Sequence, residues 1–132
     1  MKNKTKFLFL FSSLVALDQF AKYISNNSIC NQNIAWNIPV YPGIFYFVWI
    51  AIITGLIYSF LKSKNYYQKI FLILIFSGAI SNVIDRLRFG CVVDYIDFKI
   101  WPVFNLADVY ITVGAILLLF VIASEAKQSR VS

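Results

Sequence analysis

Four apolar segments dominate the sequence and limit the folds that are open to it. They cover about residues 7–24, 43–61, 67–85 and 105–124. A helix needs about 20 mostly apolar residues to cross the hydrocarbon core of a bilayer, and each segment approaches that length. Hydrophobic residues make up 60% of the chain and charged residues 14%, whereas a soluble domain has about 25% charged residues. The sequence therefore predicts one all-α integral membrane domain, residues 1–132, with four transmembrane helices.

The distribution of charge predicts how these helices are oriented. If the N-terminus is cytoplasmic, the cytoplasmic side carries eight basic residues and one acid, and the outer side carries four basic residues and five aspartates. Cytoplasmic loops are enriched in Lys and Arg, so we expect both termini in the cytoplasm. The basic residues form short clusters between apolar runs, which is typical of topology signals rather than of a nucleic-acid-binding surface. We therefore expect no nucleic-acid partner.

The two outer connections, residues 25–42 and 85–104, are expected to hold a small extended element. Residues 33–41 alternate loosely between polar and apolar side chains, and residues 96–100 alternate more regularly. Alternation of this kind is typical of a short strand with one buried face.

Several kinds of active site are excluded by composition. The chain has no histidine, which excludes Ser-His-Asp and Cys-His catalysis and histidine metal sites. Its two cysteines, Cys30 and Cys91, are too few for a zinc site of four cysteines. They can form a disulfide if both face an oxidising compartment, but the favoured interpretation is two unpaired, small apolar residues.

Two aspartates are candidate catalytic residues. Asp108 lies about one turn into the fourth apolar segment, and Asp94 is a lone acid between apolar neighbours. Ionisable residues near membrane depth are costly, so each is a functional candidate. Both can reach one level near the outer surface, because the third helix ends and the fourth begins there. Two close carboxylates in a poorly solvated site share a proton, and such a pair can hydrolyse a peptide without histidine, serine or metal.

Other interpretations of the same two aspartates stay open at this point. Asp94 or Asp108 could form a structural ion pair with Arg86 or Arg88, or line a proton pathway. The corresponding alternative functions are a small proton-coupled transporter and a membrane scaffold. The absence of an internal repeat argues against a transporter, since many transporters are built from repeats.

Four further polar residues lie near the outer ends of the helices. Asp18 and Lys22 are four residues apart on one helix face, and an ordinary surface ion pair is the favoured interpretation. Asn82 and Asn105 lie in apolar surroundings and need hydrogen-bond partners. Those partners are either another helix or the backbone of a substrate.

Five short motifs follow one another in order from the first helix to the fourth. They are Asp18-Gln19-x-x-Lys22, Asn31-x-x-x-Ala35-Trp36, Gly78-Ala79-x-x-Asn82-x-x-Asp85-Arg86, Val92-Val93-Asp94-Tyr95 and Phe104-Asn105-x-Ala107-Asp108. This ordered set resembles the bacterial lipoprotein signal peptidases, also called signal peptidase II.

The resemblance implies an aspartic endopeptidase of the bacterial inner membrane, with its active site near the periplasmic face. Such an enzyme removes the signal peptide from a prolipoprotein that carries diacylglycerol on a cysteine, and it cleaves just before that cysteine. By the resemblance, Asp94 and Asp108 are the catalytic pair, and no metal or cofactor is implied. The expected partners are lipid-modified prolipoproteins and membrane lipids, and we expect a monomer. The residues expected to bind substrate or to orient the pair are Asn82, Arg86, Asn105, Asn31, Asp18 and Lys22.

The chain departs from the family pattern at two positions, Asn33 and Ser81, where the family usually has glycine. Asparagine tolerates a positive φ better than most residues, and serine adds little bulk. We therefore expect neither departure to disturb the catalytic pair.

Overall fold

A computed structural model describes residues 2–34 and 38–131. In this part of the chain, four helices are long and apolar enough to cross a membrane, and two short strands form a sheet. The predicted fold class is therefore confirmed. In chain order the elements are α1 (Lys2–Ile24), β1 (Ile29–Asn31), α2 (Pro42–Lys62), α3 (Tyr66–Phe89), β2 (Val92–Asp94) and α4 (Leu106–Val131).

Three helices extend several residues beyond the apolar segments that predicted them, and α2 extends by one residue at each end. α1 begins at Lys2, α3 continues past residue 85 to Phe89, and α4 continues past residue 124 to Val131. Hydropathy detects only the part of a helix that is apolar, whereas the backbone continues until a residue ends it. α3 ends at Gly90, which has a φ of 74°; its N–H donates to the carbonyl of Arg86 at 3.0 Å, the usual C-terminal cap.

α3 is the central helix and contacts α1, α2, α4 and β2. Its closest approach is to α4, and two glycines permit it. A Cβ atom at Gly78 would overlap the carbonyl oxygen of Ala107, and one at Gly114 would lie 2.9 Å from the carbonyl oxygen of Phe71. The backbones of α3 and α4 therefore pack against each other without intervening side chains, as small residues allow in membrane helices.

The two strands form an antiparallel ribbon in which Cys30 is opposite Val93. A disulfide joins Cys30 to Cys91, so the favoured interpretation of unpaired cysteines was wrong. The error arose because 61 residues separate them in sequence, and only the pairing of the strands makes them neighbours.

The strands also lie elsewhere than the alternating stretches suggested. Residues 33–41 contribute only an isolated bridge between Ile34 and Ile38, and residues 35–37 lie outside the described residues. Residues 96–100 contribute one bridge, from Ile96 to Phe104. Pairing of β1 with β2, rather than local alternation, determined which residues became strands.

The ribbon lies at the end of the bundle where α1 and α3 finish and α4 begins, which we call the strand end. At the opposite end, which we call the lysine end, the beginning of α3 contacts the C-terminal part of α4. There Gln68 donates a hydrogen bond to Glu125 at 2.6 Å. The two ends differ sharply in chemistry.

Candidate active site

One asparagine, Asn105, connects the two candidate carboxylates at the strand end. Asp94 is the last residue of β2, and Asp108 lies in the first turn of α4. The side-chain nitrogen of Asn105 donates to Asp94 Oδ1 at 2.8 Å. Its backbone N–H donates to Asp108 Oδ2 at 3.2 Å, and its side-chain oxygen accepts from the Asp108 backbone N–H at 2.9 Å. This last exchange has the pattern of a capping box, so the start of α4 positions Asp108.

Two more asparagines donate hydrogen bonds to the remaining carboxylate oxygens. Asn82, on α3, donates to Asp108 Oδ1 at 2.9 Å and accepts from the Asn105 side chain at 3.0 Å. Asn31, at the end of β1, donates to Asp94 Oδ2 at 3.1 Å. Each carboxylate is thus hydrogen-bonded on both oxygens by groups from different parts of the chain.

The structural ion-pair interpretation of Asp94 and Asp108 was wrong. Among residues 2–34 and 38–131, neither carboxylate forms an ion pair with Arg86, Arg88 or any other cation. The ion pairs of this part of the chain are Lys22–Asp18, Lys22–Asp85 and Lys99–Asp97.

Burial makes the Asp94 carboxyl group a weaker acid than usual. Its residue surface is only 2% exposed, and this desolvation raises its pKa to about 6, with the hydrogen bond from Asn31 opposing the rise and the nearby Asp108 adding to it. Asp108 and Asn82 are only half-buried. The pair therefore combines a carboxyl group that retains its proton more readily than usual with a side from which water can approach.

A second charged cluster lies buried behind the pair. Lys22 Nζ lies 2.7 Å from Asp18 Oδ2 and 2.7 Å from Asp85 Oδ2, and both aspartates are fully buried. Lys22 also donates to Asn82 Oδ1 at 3.0 Å. The favoured interpretation of Asp18 and Lys22 as a surface pair was therefore wrong; i,i+4 spacing does not show whether a pair is covered by other helices.

Gln19, Ser81 and Asp85 complete this cluster, although none was a predicted site residue. Ser81 donates to Asp18 Oδ2 at 2.6 Å, while Gln19 donates to Ser81 Oγ and to Asp85 Oδ1 at 2.9 Å each. Two of the three occur in the motifs that carry the resemblance, which was a usable signal. Ser81 is one of the two positions where the chain was expected to depart from the pattern it resembles, and its hydroxyl supplies a hydrogen bond that glycine would lack.

Arg86 lies at the edge of the site, against the first connection. It donates to the carbonyl oxygen of Asn33 at 2.8 Å, and its guanidinium lies 4.4 Å from the ring centre of Phe45. A cavity of about 190 Å³ adjoins it, lined also by Val40 and Tyr46. Arg86 is therefore a predicted site residue with space beside it for another molecule.

The predicted site residues therefore occupy three places. Three asparagines contact the candidate pair, two charged residues lie buried behind it, and one arginine borders the small cavity. The residues, in that order, are Asn31, Asn82 and Asn105; Asp18 and Lys22; and Arg86.

The described residues contain no group of three or more His, Cys, Asp and Glu side chains arranged to hold a metal ion. That the chain works without a metal or a cofactor stays a prediction.

Comparison with known proteins gives the family. The sequence profile described as signal peptidase (SPase) II matches residues 8–124. The chain belongs to the signal peptidase II family. It is 35% identical to the lipoprotein signal peptidase of Moorella thermoacetica, over 85% of this chain and 89% of that protein. It is 34% identical to the lipoprotein signal peptidase of Pelotomaculum thermopropionicum, over 93% of this chain and 95% of that protein.

The fold agrees with this membership. A solved structure described as a bacterial membrane enzyme superposes with a TM-score of 0.85 at 30% identity, covering 94% of this chain and 91% of that one. A second bacterial membrane enzyme superposes with a TM-score of 0.79 at 31% identity, covering 89% and 92%. The chain is therefore a bacterial integral membrane protein of a peptidase family, and the transporter and scaffold interpretations are not favoured.

Proposed function

We propose that this protein is an aspartic intramembrane endopeptidase that removes signal peptides from diacylglyceryl-modified prolipoproteins. Its substrate is cleaved just before the lipid-modified cysteine, and Asp94 and Asp108 are the catalytic pair. The observation that carries the proposal is the link through Asn105, which bonds both carboxylates at once. Family membership supplies the substrate class.

The chemistry requires the two carboxyl groups to share one proton. The ionised carboxylate takes a proton from water, whose oxygen then attacks the scissile carbonyl carbon. The protonated carboxyl group donates its proton to the carbonyl oxygen, which gives a tetrahedral intermediate. When the C–N bond of this intermediate breaks, the leaving nitrogen takes the proton that the first carboxylate gained from water. A hydroxyl proton of the intermediate returns to the second carboxylate, so the pair regains its single shared proton. A raised pKa lets one acid of such a pair keep its proton to a higher pH than usual, and the buried Asp94, with its pKa of about 6, suits that role.

The surrounding residues have separate roles in this proposal. Asn31, Asn82 and Asn105 orient the two carboxylates, since their amide nitrogens are bonded to them. Lys22 acts through Asn82, because its ammonium group bonds the amide oxygen of that residue. Arg86, beside the open cavity, contacts the substrate.

We further propose that the protein acts as a monomer in the inner membrane, with both termini in the cytoplasm and the strand end at the periplasmic face. Two observations support this orientation. Three lysines contribute to the lining of a cavity at the lysine end, and positive charge favours the cytoplasmic side. The Cys30–Cys91 disulfide is at the strand end, and disulfides persist in oxidising compartments such as the periplasm.

The proposal is tested by Asp94→Asn and Asp108→Asn in the full chain. Each variant should lose at least about 10²–10⁴-fold in cleavage of a diacylglyceryl-modified prolipoprotein, the range that general acid–base catalysis supplies. Cleavage is measured by gel shift and by mass spectrometry of the released peptide, which also identifies the bond cut.

The matched control is Asp97→Asn. Asp97 lies in the same connection as Asp94, but among residues 2–34 and 38–131 its hydrogen bonds go to Lys99 and are exposed. This variant should therefore keep full activity. Normal cleavage by either Asp94→Asn or Asp108→Asn would refute the assignment. Cleavage at another bond would refute the proposed specificity alone.

A further inference from the structure

A cavity of about 790 Å³ opens between α1, α2 and α3 at the lysine end, far along the helices from the catalytic pair. Its volume falls within the range of about 300–1,000 Å³ that is typical of small-molecule sites. Most of its lining is aliphatic or aromatic. Representative lining residues are Phe7, Phe11, Leu56, Phe60, Leu72 and Ile73.

Positive charge borders the same cavity. Lys4, Lys64 and Lys69 contribute to its lining, and within residues 2–34 and 38–131 no carboxylate forms an ion pair with any of them. The acid at this end, Glu125, instead accepts hydrogen bonds from Asn65 and Gln68. Three lysines thus line an apolar cavity without an anionic partner among the described residues.

We propose that this cavity binds an anionic phospholipid of the leaflet at the lysine end, with an acyl chain among the apolar residues and the phosphate on the three lysines. Basic pockets between membrane helices bind anionic headgroups in this way. The basic N-terminal region of a signal peptide would be repelled by the same lysines, and a free phosphate would leave the apolar wall uncovered. The inference does not depend on the proposed peptidase function.

The test is a lipid titration of the detergent-purified full chain followed by native mass spectrometry. Dioleoyl phosphatidylglycerol should bind at least tenfold more tightly than dioleoyl phosphatidylcholine, which has the same acyl chains. The variant Lys4→Gln/Lys64→Gln/Lys69→Gln should lose about fivefold in affinity per lysine, corresponding to about 1 kcal/mol per basic residue at an anionic surface.

A control variant removes the same charge from the same end without altering the cavity. Lys6→Gln/Lys127→Gln/Arg130→Gln changes three exposed residues that do not line it, and it should stay within about twofold of the unchanged protein, because more distant exposed charges are screened. Equal losses in the two triple variants would overturn the proposal in favour of general surface attraction.

Two further results would also overturn it. Equal affinity for the two lipids would show that the lysines recognise nothing, and full competition by glycerol phosphate alone would show a site for free phosphate. If the triple lysine variant cannot be purified, Lys64→Gln alone, in the exposed connection after α2, should show the fivefold loss; no loss there would contradict the proposal.

Discussion

The strand end and the lysine end of the bundle use lysine in opposite ways. At the strand end, the Lys22 side chain is only 4% exposed and lies between Asp18 and Asp85. At the lysine end, Lys4 and Lys64 are exposed beside an apolar cavity and have no described carboxylate as a partner.

The difference teaches how one residue type serves two purposes. A buried ammonium group surrounded by carboxylates has its donors committed to the protein, so it can only position other groups of the protein. Exposed ammonium groups beside an apolar cavity can bind an anion from outside. The side chains at the strand end therefore hold one another in a fixed geometry, whereas the lysines at the lysine end are available to bind another molecule.

The largest expected effect is at Lys22. Lys22→Met leaves two buried carboxylates without their cation, which should destabilise the fold by about 3–5 kcal/mol and reduce activity by loosening Asn82. The same change at Lys64 should leave the unfolding midpoint unchanged in lipid-free detergent. The comparison is measured by thermal unfolding of the two variants, and equal midpoints would remove the distinction between the two ends.

The next effect concerns the covalent link at the strand end. Cys30→Ala/Cys91→Ala opens a 61-residue connection, and loss of a disulfide commonly costs about 2–4 kcal/mol. Activity should also fall, because Asn31 follows Cys30 directly and bonds Asp94. Unfolding and cleavage assays with and without reductant check this; an unchanged profile in reductant would mean that the ribbon holds Asp94 without the link.

A smaller effect on stability is expected from filling the space at a glycine where two helices pack closely, compared with a glycine that has no close neighbour. Gly78→Ala brings a methyl group into the backbone of Ala107, so α3 and α4 must move apart, at a cost of about 1–3 kcal/mol. Gly55→Ala is the matched control on α2, where a Cβ meets no atom within 4 Å among those described; it should be neutral or slightly stabilising. Denaturation of both variants tests this, and equal destabilisation would contradict it.

The smallest expected effect concerns the unchanged protein and the dependence of its kcat/KM on pH. This profile should be bell-shaped, because the pair works with a single shared proton. At low pH both acids are protonated and no base remains; at high pH both are ionised and no acid remains. Burial raises the pKa of Asp94 to about 6, so the alkaline decline should begin near that value rather than near pH 4. Steady-state cleavage across pH 4–9 measures the profile, and a flat profile would contradict proton sharing.

Much of the site was predictable because its residues lie where the sequence pattern changes, at the start of a helix or as an isolated polar residue in an apolar stretch. Asn105 and Asp108 are three residues apart at a helix start, a spacing that itself produces their mutual hydrogen bonds. Asp94 was found as an isolated acid among apolar neighbours. The catalytic roles and the substrate-binding roles stay predictions.

The buried cluster was harder to predict because its contacts are long-range. Gln19 and Ser81 are 62 residues apart, and Lys22 and Asn82 are 60 apart. The spacing of Asp18 and Lys22 along one helix favoured a surface ion pair, because the local sequence does not show which face of the helix is covered by other helices. The pairing of Cys30 with Cys91 was missed for the same reason.

The sequence by itself determined four apolar helices, because the length and hydropathy of a segment suffice to set its preference for hydrocarbon. It also determined which polar residues lie near one end of the bundle, because each is close in sequence to a helix terminus. Only the tertiary structure decided which of these residues bond to one another and which are sealed from water. That depends on how α1, α3 and the ribbon pack together, and close packing brings together residues that no local pattern relates.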